Sequence, residues 1–120
     1  MLKKQFKAST VQSVDASDYE NATFVQDLNK SWECKGLVNQ KFKTIIDAGT
    51  LEHVFNVPQA LESIANACEL GGQIIHIQCH SDYCGHGFWQ FSAELFQMWY
   101  SKDNGFADRV TIIQGKIEEV

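Results

Sequence analysis

The segment from residue 76 to residue 86 holds most of the side chains that could bind a metal ion or carry protons. It reads His-Ile-Gln-Cys-His-Ser-Asp-Tyr-Cys-Gly-His. Zinc prefers Cys and His ligands in a tetrahedral arrangement, usually in pairs of short spacing. Cys79, His80, Cys84 and His86 offer such ligands, although their spacing matches no standard zinc finger. One hypothesis is therefore a zinc-binding domain. The alternative that we prefer is a loop that shapes a substrate pocket without a metal.

Acidic residues fall at the ends of three predicted strands. Each strand is a short run rich in β-branched and aromatic residues and bounded by turn-forming residues. The acids are Asp15, Asp27 and Asp47. In parallel sheets, ligands bind beyond the carboxyl ends of the strands, so these acids are candidates for a binding site. The three predicted strands are residues 11–15, 23–27 and 42–48.

A helix is predicted to follow the third strand. Asn56 or Val57 is its expected N-cap, and Pro58 suits the first turn, where a missing N–H is tolerated. We expect the helix to end at Gly71-Gly72 and a buried strand to follow over residues 73–79. The apolar face of the helix consists of Leu61, Ile64, Ala65 and Cys68.

A second helix is predicted to begin at Ser92 and to end at Asn104-Gly105. Phe91 and Phe96 are spaced for a hydrophobic staple across its N-cap. A last strand is predicted over residues 109–114. The buried stripe of this helix is expected to be Leu95, Met98 and Trp99.

The predicted elements make one α/β domain over residues 1–120. Strands that alternate with helices of about a dozen residues require crossover connections, which favours a mostly parallel sheet with flanking helices. The net charge of −5 argues against a nucleic-acid surface. No apolar run approaches the roughly 20 residues of a membrane span, and the start does not read as a signal peptide. We therefore expect a cytoplasmic protein with four reduced cysteines.

An ordered series of motifs resembles the class I S-adenosylmethionine-dependent methyltransferases, in their small-molecule branch. The Leu-Glu-His-Val run at residues 51–54 is typical of that branch. The fold implied is a partial Rossmann-like methyltransferase fold, and the function implied is methyl transfer from S-adenosylmethionine to a small-molecule acceptor. The other matching segments are Ser13-Val14-Asp15, residues 24–29, residues 45–50, Leu70-Gly71-Gly72 with Ile-Ile-His-Ile after it, His86-Gly87-Phe88, Phe91-Ser92 and Asn104-Gly105-Phe106.

The resemblance implies cofactor-binding roles at matching positions. Asp15 would accept hydrogen bonds from both ribose hydroxyls of S-adenosylmethionine, and Asp27 would approach the adenine amino group, with Leu28 against the ring. The backbone of Ala48 and Gly49 would line the methionine portion. From the residues alone, Asp15 is also compatible with capping a turn and Asp27 with a solvated loop acid.

The resemblance also implies residues around the acceptor. Tyr83, His86 and Trp89 lie in the loop that borders the acceptor site in the resembling enzymes. His53 is a candidate general base, because an unperturbed imidazole already titrates near neutral pH. The alternative for His53 is a structural role with a hydrogen bond to a backbone carbonyl. We interpret Glu52 as a helix-start or loop acid.

Two parts of the family pattern have no counterpart. The family holds its cofactor on a Gly-rich turn after its first strand, whereas residues 1–10 contain no glycine and are too short for a strand, turn and helix. No seventh strand follows residue 114. We expect an N-terminally truncated domain, impaired or inactive by itself, in which the second and fourth family strands pair directly or a homodimer covers their edges. The alternative function is a non-catalytic α/β module that binds itself or a partner through exposed sheet edges.

Overall fold

The computed structural model describes residues 2–80 and 84–107, in which three strands follow the first helix and a helix then separates the third strand from the fourth. Tyr83 and the predicted strand at residues 109–114 lie outside these ranges. The helices are α1 (Leu2–Phe6), α2 (Val57–Ala67) and α3 (Ala93–Trp99), with short 3-10 helices at Leu51–His53 and Lys102–Asn104. The strands are β1 (Val14–Asp15), β2 (Phe24–Val25), β3 (Phe42–Ala48) and β4 (Cys68–Ile77).

The strands form two separate parallel pairs, β1 with β2 and β3 with β4. The predicted α/β class and the parallel pairing are confirmed. The expectation that the second and fourth family strands pair directly is wrong within the described residues, because β1 bonds to β2 and β3 bonds to β4. Strand β1 has only two residues, so the ladder of hydrogen bonds that it could form with β3 would be too short. The two pairs therefore do not merge into one sheet.

Strand β3 has the predicted bounds, whereas β4 begins earlier than predicted. From Thr44↔Gln73 to Ala48↔Ile77 the register is regular, but it shifts between Phe42, which lies opposite Cys68, and Thr44. Residues 69–72 are accommodated at this shift. Leu70 in this segment is fully exposed. The predicted helix end at Gly71-Gly72 is therefore wrong, since the chain already leaves α2 after Ala67.

Helix α2 begins as predicted. The Asn56 side chain accepts a hydrogen bond from the Gln59 N–H, and Pro58 lies in the first turn. Leu61 and Ile64 are buried, as their spacing predicts. The predicted face is wrong at its end, because Cys68 belongs to β4 and is only partly buried. The full buried set of the helix is Val57, Ala60, Leu61, Ser63, Ile64 and Ala67.

Helix α3 has Ser92 at its N-cap, as predicted, although the serine side chain makes no capping hydrogen bond. The predicted staple is present, since the Phe91 and Phe96 rings lie 5.8 Å apart. Of the predicted buried stripe, Leu95 and Trp99 are only partly buried against the core. The prediction is wrong at Met98, which is 67% exposed because the short helix packs only one edge onto the core. The helix also ends earlier than predicted, at Trp99.

The core lies between α2, the loops after β3 and the start of α3. Leu51 is fully buried at its centre, which fixes the 3-10 helix that follows β3. The four cysteines are free thiols. Within residues 2–80 and 84–107, no helix has the length and apolar character to cross a membrane. The buried core cluster is Leu51, Val54, Val57, Ala60, Leu61, Ile64 and Phe91.

Candidate functional site

A buried carboxylate meets two histidines just beyond the carboxyl end of β3. Glu52 is only 3% exposed, because the neighbouring Leu51 anchors the 3-10 helix in the core. Its Oε1 lies 3.5 Å from His86 Nε2 and 3.9 Å from His53 Nε2. The two imidazole rings are 4.8 Å apart at an interplanar angle of 76°. The structure thus brings together, around Glu52, the candidate base His53 and His86, which was predicted to border the acceptor site.

The main chain of Glu52 fixes the loop that carries His86. The N–H groups of Phe88 and Trp89 both donate to the Glu52 carbonyl oxygen, at 2.6 and 3.3 Å. The Trp89 ring N–H donates to the Val54 carbonyl at 3.0 Å. Gly87 has a φ of +68°, and a Cβ there would lie 2.6 Å from the Glu52 carbonyl oxygen. The close approach of the loop therefore requires glycine at this position.

The second carboxylate oxygen of Glu52 is buried, and within the described residues it has no hydrogen-bond partner. Burial raises the pKa of the nearby Cys79 thiol, and the negative charge of Glu52 raises it further. The protonated Cys79 Sγ donates to the Trp89 carbonyl at 3.4 Å. Within residues 2–80 and 84–107, the side chains close enough to share one metal ion are Glu52, His53 and His86. They are not the cysteine-containing set of the zinc hypothesis.

The backbone predicted to line the methionine portion of the cofactor lies beside this cluster. Ala48 ends β3 and is exposed. Gly49 follows with a φ of +72°, and a Cβ on it would lie 3.4 Å from Glu52 Oε1. The Gly49 N–H donates to the Ile77 carbonyl at 2.9 Å, which joins the ends of β3 and β4. The structure thus brings Gly49, His53 and His86 together at Glu52.

Three exposed aromatic rings flank the same cluster. Phe55 and Phe88 meet edge to face at 5.7 Å, and Phe55 lies 5.9 Å from Trp89. The rings of Phe55 and Phe88 are more than 60% exposed. The predicted acceptor residue Trp89 is therefore part of an apolar surface. Sequence reasoning did not single out Phe55.

The two acids predicted to bind the nucleoside lie at the carboxyl end of the other strand pair. Asp15 ends β1, is exposed, and accepts a hydrogen bond from the Ser17 N–H at 3.2 Å. Asp27 Oδ1 accepts from the Asn29 N–H at 2.9 Å and from the Asn29 side chain at 3.0 Å. These two hydrogen bonds hold the pKa of Asp27 below its usual value. Leu28 is partly buried against the core.

The loops after β2 and β3 are joined by two asparagines. Asn29 Oδ1 accepts from the Asn56 N–H at 2.9 Å, and the Asn56 side chain donates to the Asn29 carbonyl at 3.2 Å. Asn29 is the residue that also binds Asp27. The carboxyl-terminal loop of one strand pair therefore contacts that of the other.

A second buried polar chain lies between the strand pair and α3. His76 and Asp47 are register partners on β4 and β3, and His76 Nδ1 lies 2.7 Å from Asp47 Oδ2. His76 Nε2 lies 2.6 Å from the Tyr100 hydroxyl. The Gln78 side chain donates to the same Asp47 oxygen. These contacts join α3 to the strands, and none of the four residues belongs to the Glu52 cluster.

A groove of about 250 Å³ lies elsewhere, between residues 31–41 and one side of α2. No predicted site residue lines it. The groove therefore does not alter the assignment of the candidate site to the end of β3.

No protein-family model, curated protein or solved structure matches the chain.

Proposed function

We propose that this chain is a methyltransferase-like domain on a Rossmann-like framework, which transfers a methyl group from S-adenosylmethionine to a small-molecule acceptor in the cytoplasm. The observation that carries the proposal is the convergence at Glu52. Gly49 would line the methionine end of the cofactor, His53 would be the base and His86 would contact the acceptor. All three lie around one buried carboxylate.

The chemistry assigned to this site is an in-line displacement. A bond forms between the acceptor heteroatom and the methyl carbon while the sulfur–methyl bond breaks, and the electron pair of that bond stays on sulfur. The proton of the acceptor passes to the imidazole of His53. Glu52 lies 3.9 Å from that imidazole and would stabilise the imidazolium that forms. The remaining contribution of the protein is to position the acceptor.

The surroundings of the cluster favour an acceptor with an apolar or aromatic part. Phe55, Phe88 and Trp89 form an exposed aromatic surface beside the histidines. Aromatic rings bury a large apolar area and pair with other rings in offset or edge-to-face arrangements. A flat ring on this surface would present a hydroxyl or amine substituent to His53.

On the cofactor side, Asp15 is the residue that we assign to the ribose. Its carboxylate is exposed and can accept two hydroxyl hydrogen bonds. The Asp27 carboxylate already accepts two hydrogen bonds from Asn29. We therefore expect Asp27 to contribute less to cofactor binding than Asp15.

The test is thermal unfolding with and without S-adenosylmethionine, and with its demethylated product. A ligand at about a hundred times its dissociation constant stabilises a protein by roughly 2.7 kcal/mol. For a domain of this size, the unfolding midpoint then rises by several degrees. The Gly-rich turn that holds the cofactor in the class I methyltransferases is not in this sequence. We therefore expect weak binding and use the ligand at millimolar concentration.

The Asp15→Ala variant tests whether the cofactor binds at Asp15. We expect it to abolish the rise, whereas the matched Asp18→Ala variant, also exposed and in the same loop, should keep it. No rise in the unmodified protein, or an equal rise in Asp15→Ala, would contradict cofactor binding at Asp15.

A second candidate function is self-association through exposed sheet surfaces. Strand β3 is bonded only to β4 among the described residues, so one of its edges has no strand partner there. Ile46 on β3 and Ile77 on β4 are exposed. Unpaired strand edges with apolar side chains template association with another chain. We propose a homodimer in which a second copy covers this surface.

A further inference from the structure

We infer that Glu52, His53 and His86 together bind one divalent transition-metal ion. Two imidazoles and one carboxylate form a donor set that proteins use for zinc and other first-row metals, with positions left for water or substrate. The potential ligand atoms of the three residues all lie within 4.8 Å of one another. We take Zn²⁺ as the reference ion.

The distances from Glu52 to the two histidines are close to those between ligands of one metal ion. Two ligand atoms on a tetrahedral zinc ion, each about 2.1 Å from the metal, are separated by about 3.4 Å. Glu52 Oε1 lies 3.5 Å from His86 Nε2 and 3.9 Å from His53 Nε2. The ligand atoms of the three residues are up to 4.8 Å apart, so the largest separation must close by about 1.4 Å. Both histidine side chains are about half exposed, which leaves room for their rings to turn by that amount.

The carboxylate that anchors the proposed site is held in place by main-chain contacts. The Glu52 carbonyl accepts two N–H groups from the loop that carries His86. Gly49 and Gly87 pack against Glu52 from two sides, where a Cβ would come within 3.4 and 2.6 Å of its atoms. A metal site gains affinity when such contacts fix its ligands in advance.

The burial of Glu52 is the second, independent reason to assign a cation here. Transfer of an ionised carboxylate from water into a protein interior is costly unless a charge or hydrogen bonds compensate it. Within residues 2–80 and 84–107, the basic side chains within 4 Å of this carboxylate are the two histidines, which carry a positive charge only when protonated. Its Oε2 has no hydrogen-bond partner in the same part of the chain. A divalent ion bound at Oε1 would compensate the negative charge of this buried carboxylate.

With three protein ligands, the ion would keep at least one coordination position for water or substrate, and exposed aromatic rings flank the cluster. An oxygen of the acceptor is the ligand class that suits this position, because a divalent metal lowers the pKa of a bound hydroxyl. This role for the ion depends on the proposed methyl transfer and would replace proton acceptance by His53, because the ion occupies the lone pair of that imidazole. The metal site itself does not depend on the methyl transfer.

The experiment is a Zn²⁺ titration of the chelator-stripped chain in competition with a chromophoric chelator, followed by a Co²⁺ absorption spectrum. We expect one ion per chain. Glu52→Gln, His53→Ala and His86→Ala should each weaken binding by about tenfold or more, since loss of a direct ligand costs at least as much as loss of a supporting residue. The Co²⁺ spectrum should show no thiolate charge-transfer band.

Controls separate this cluster from the cysteine-containing loop. His80→Ala and Cys84→Ser change two exposed potential ligands outside the cluster, and both should bind Zn²⁺ as the unmodified chain does. Thermal unfolding of each metal-free variant establishes that it is folded. The two histidine variants keep the test decisive even if Glu52→Gln does not fold, because their side chains are half exposed.

Three results would overturn the inference. They are binding below one ion per chain, unchanged affinity in His53→Ala and His86→Ala, and a thiolate band that disappears in Cys84→Ser. The titration contains no S-adenosylmethionine, and the cofactor test contains no metal. Failure of one therefore leaves the other intact, and the two proposals are distinguished.

Discussion

Tyr100 shows how one buried polar side chain links stability to pH. Its hydroxyl meets His76 Nε2 at 2.6 Å, and His76 in turn meets Asp47 at 2.7 Å. Burial raises the pKa of Tyr100 above its usual value, and the charge of Asp47 raises it further. Folding therefore favours the protonated phenol.

We predict an alkaline loss of stability that depends on Tyr100. A group whose pKa is raised on folding contributes stability that is complete below its unfolded pKa, about 10 for Tyr, and is lost as pH rises through the folded value. The free energy of unfolding should fall above about pH 10, with this residue contributing at most about 1.4 kcal/mol per pH unit. Urea unfolding between pH 8 and 11 measures it.

The control for this prediction is Tyr19, the other tyrosine among the described residues, which is 90% exposed. The Tyr100→Phe variant should show a shallower alkaline decline than the unmodified chain. Tyr19→Phe should follow the unmodified chain. Equal slopes in all three proteins would show that Tyr100 does not titrate with unfolding.

At the residue scale, sequence reasoning found the histidines of the cluster but not the acid that joins them. His53 and His86 were identified separately, by resemblance to a family. Glu52 was interpreted as a loop acid, because nothing local indicates that its carboxylate is buried. Its burial depends on the chain at Phe88 and Trp89, more than thirty residues away, which binds the Glu52 carbonyl.

At the element scale, the loop over residues 84–91 owes its position to one glycine. Gly85 and Gly87 both have a positive φ, which costs any other residue about 1–2 kcal/mol. Among the described residues, only Gly87 also lies against another segment, since apart from the chain neighbours of Gly85 none of their atoms lies within 4 Å of a Cβ built on it. Substitution of Gly85 therefore tests backbone strain alone, whereas substitution of Gly87 tests backbone strain together with steric contact.

We predict that Gly87→Ala destabilises the chain more than Gly85→Ala. The Gly85 variant should lose only the strain, about 1–2 kcal/mol. The Gly87 variant should lose about 1–3 kcal/mol more, since its methyl group collides with the Glu52 backbone. Zn²⁺ affinity should fall in Gly87→Ala and persist in Gly85→Ala. Urea unfolding and the chelator competition measure both; equal losses in the two variants would exclude a contact role for Gly87.

Elements with strong local signals were predicted well. Strand β3 has its predicted bounds because a β-branched and aromatic run ends at a glycine, and α2 begins where Asn56 and Pro58 indicate. The end of α2 was mispredicted because Gly71-Gly72 resembles a helix cap. Those glycines instead lie where the pairing of β4 with β3 shifts register, and a shift of this kind depends on the partner strand.

At the scale of the whole molecule, the two strand pairs share no hydrogen-bonded ladder among the described residues. Each pair is parallel, and their carboxyl-terminal loops meet at Asn29 and Asn56. The contact joins the loop after β2, which carries Asp27, to the loop that carries Glu52 and His53. Strand β3 has one strand partner among the described residues.

We predict concentration-dependent dimerisation through the strands β3 and β4. Ile77→Lys should raise the dimer dissociation constant by about tenfold or more, because a charged side chain on an exposed strand blocks association. The control is Leu70→Lys, which changes an equally apolar exposed residue of β4 outside its regular ladder. Sedimentation equilibrium measures both. A monomer at every concentration, or an equal effect of both substitutions, would rule out this surface.

The register shift lies at the start of β4, at the opposite end of the strand pair from the Glu52 cluster. A change in chain length at the shift would therefore leave the geometry of the cluster unchanged. Extra residues placed between Leu70 and Gly71 would project outward, because Leu70 is fully exposed and a Cβ on Gly71 would have no atom of the described residues within 4 Å apart from its chain neighbours. Gly72 does not share this freedom, since a Cβ there would lie 2.9 Å from the Lys43 carbonyl. An affinity tag or fluorescent reporter grafted at this point would leave His76 opposite Asp47.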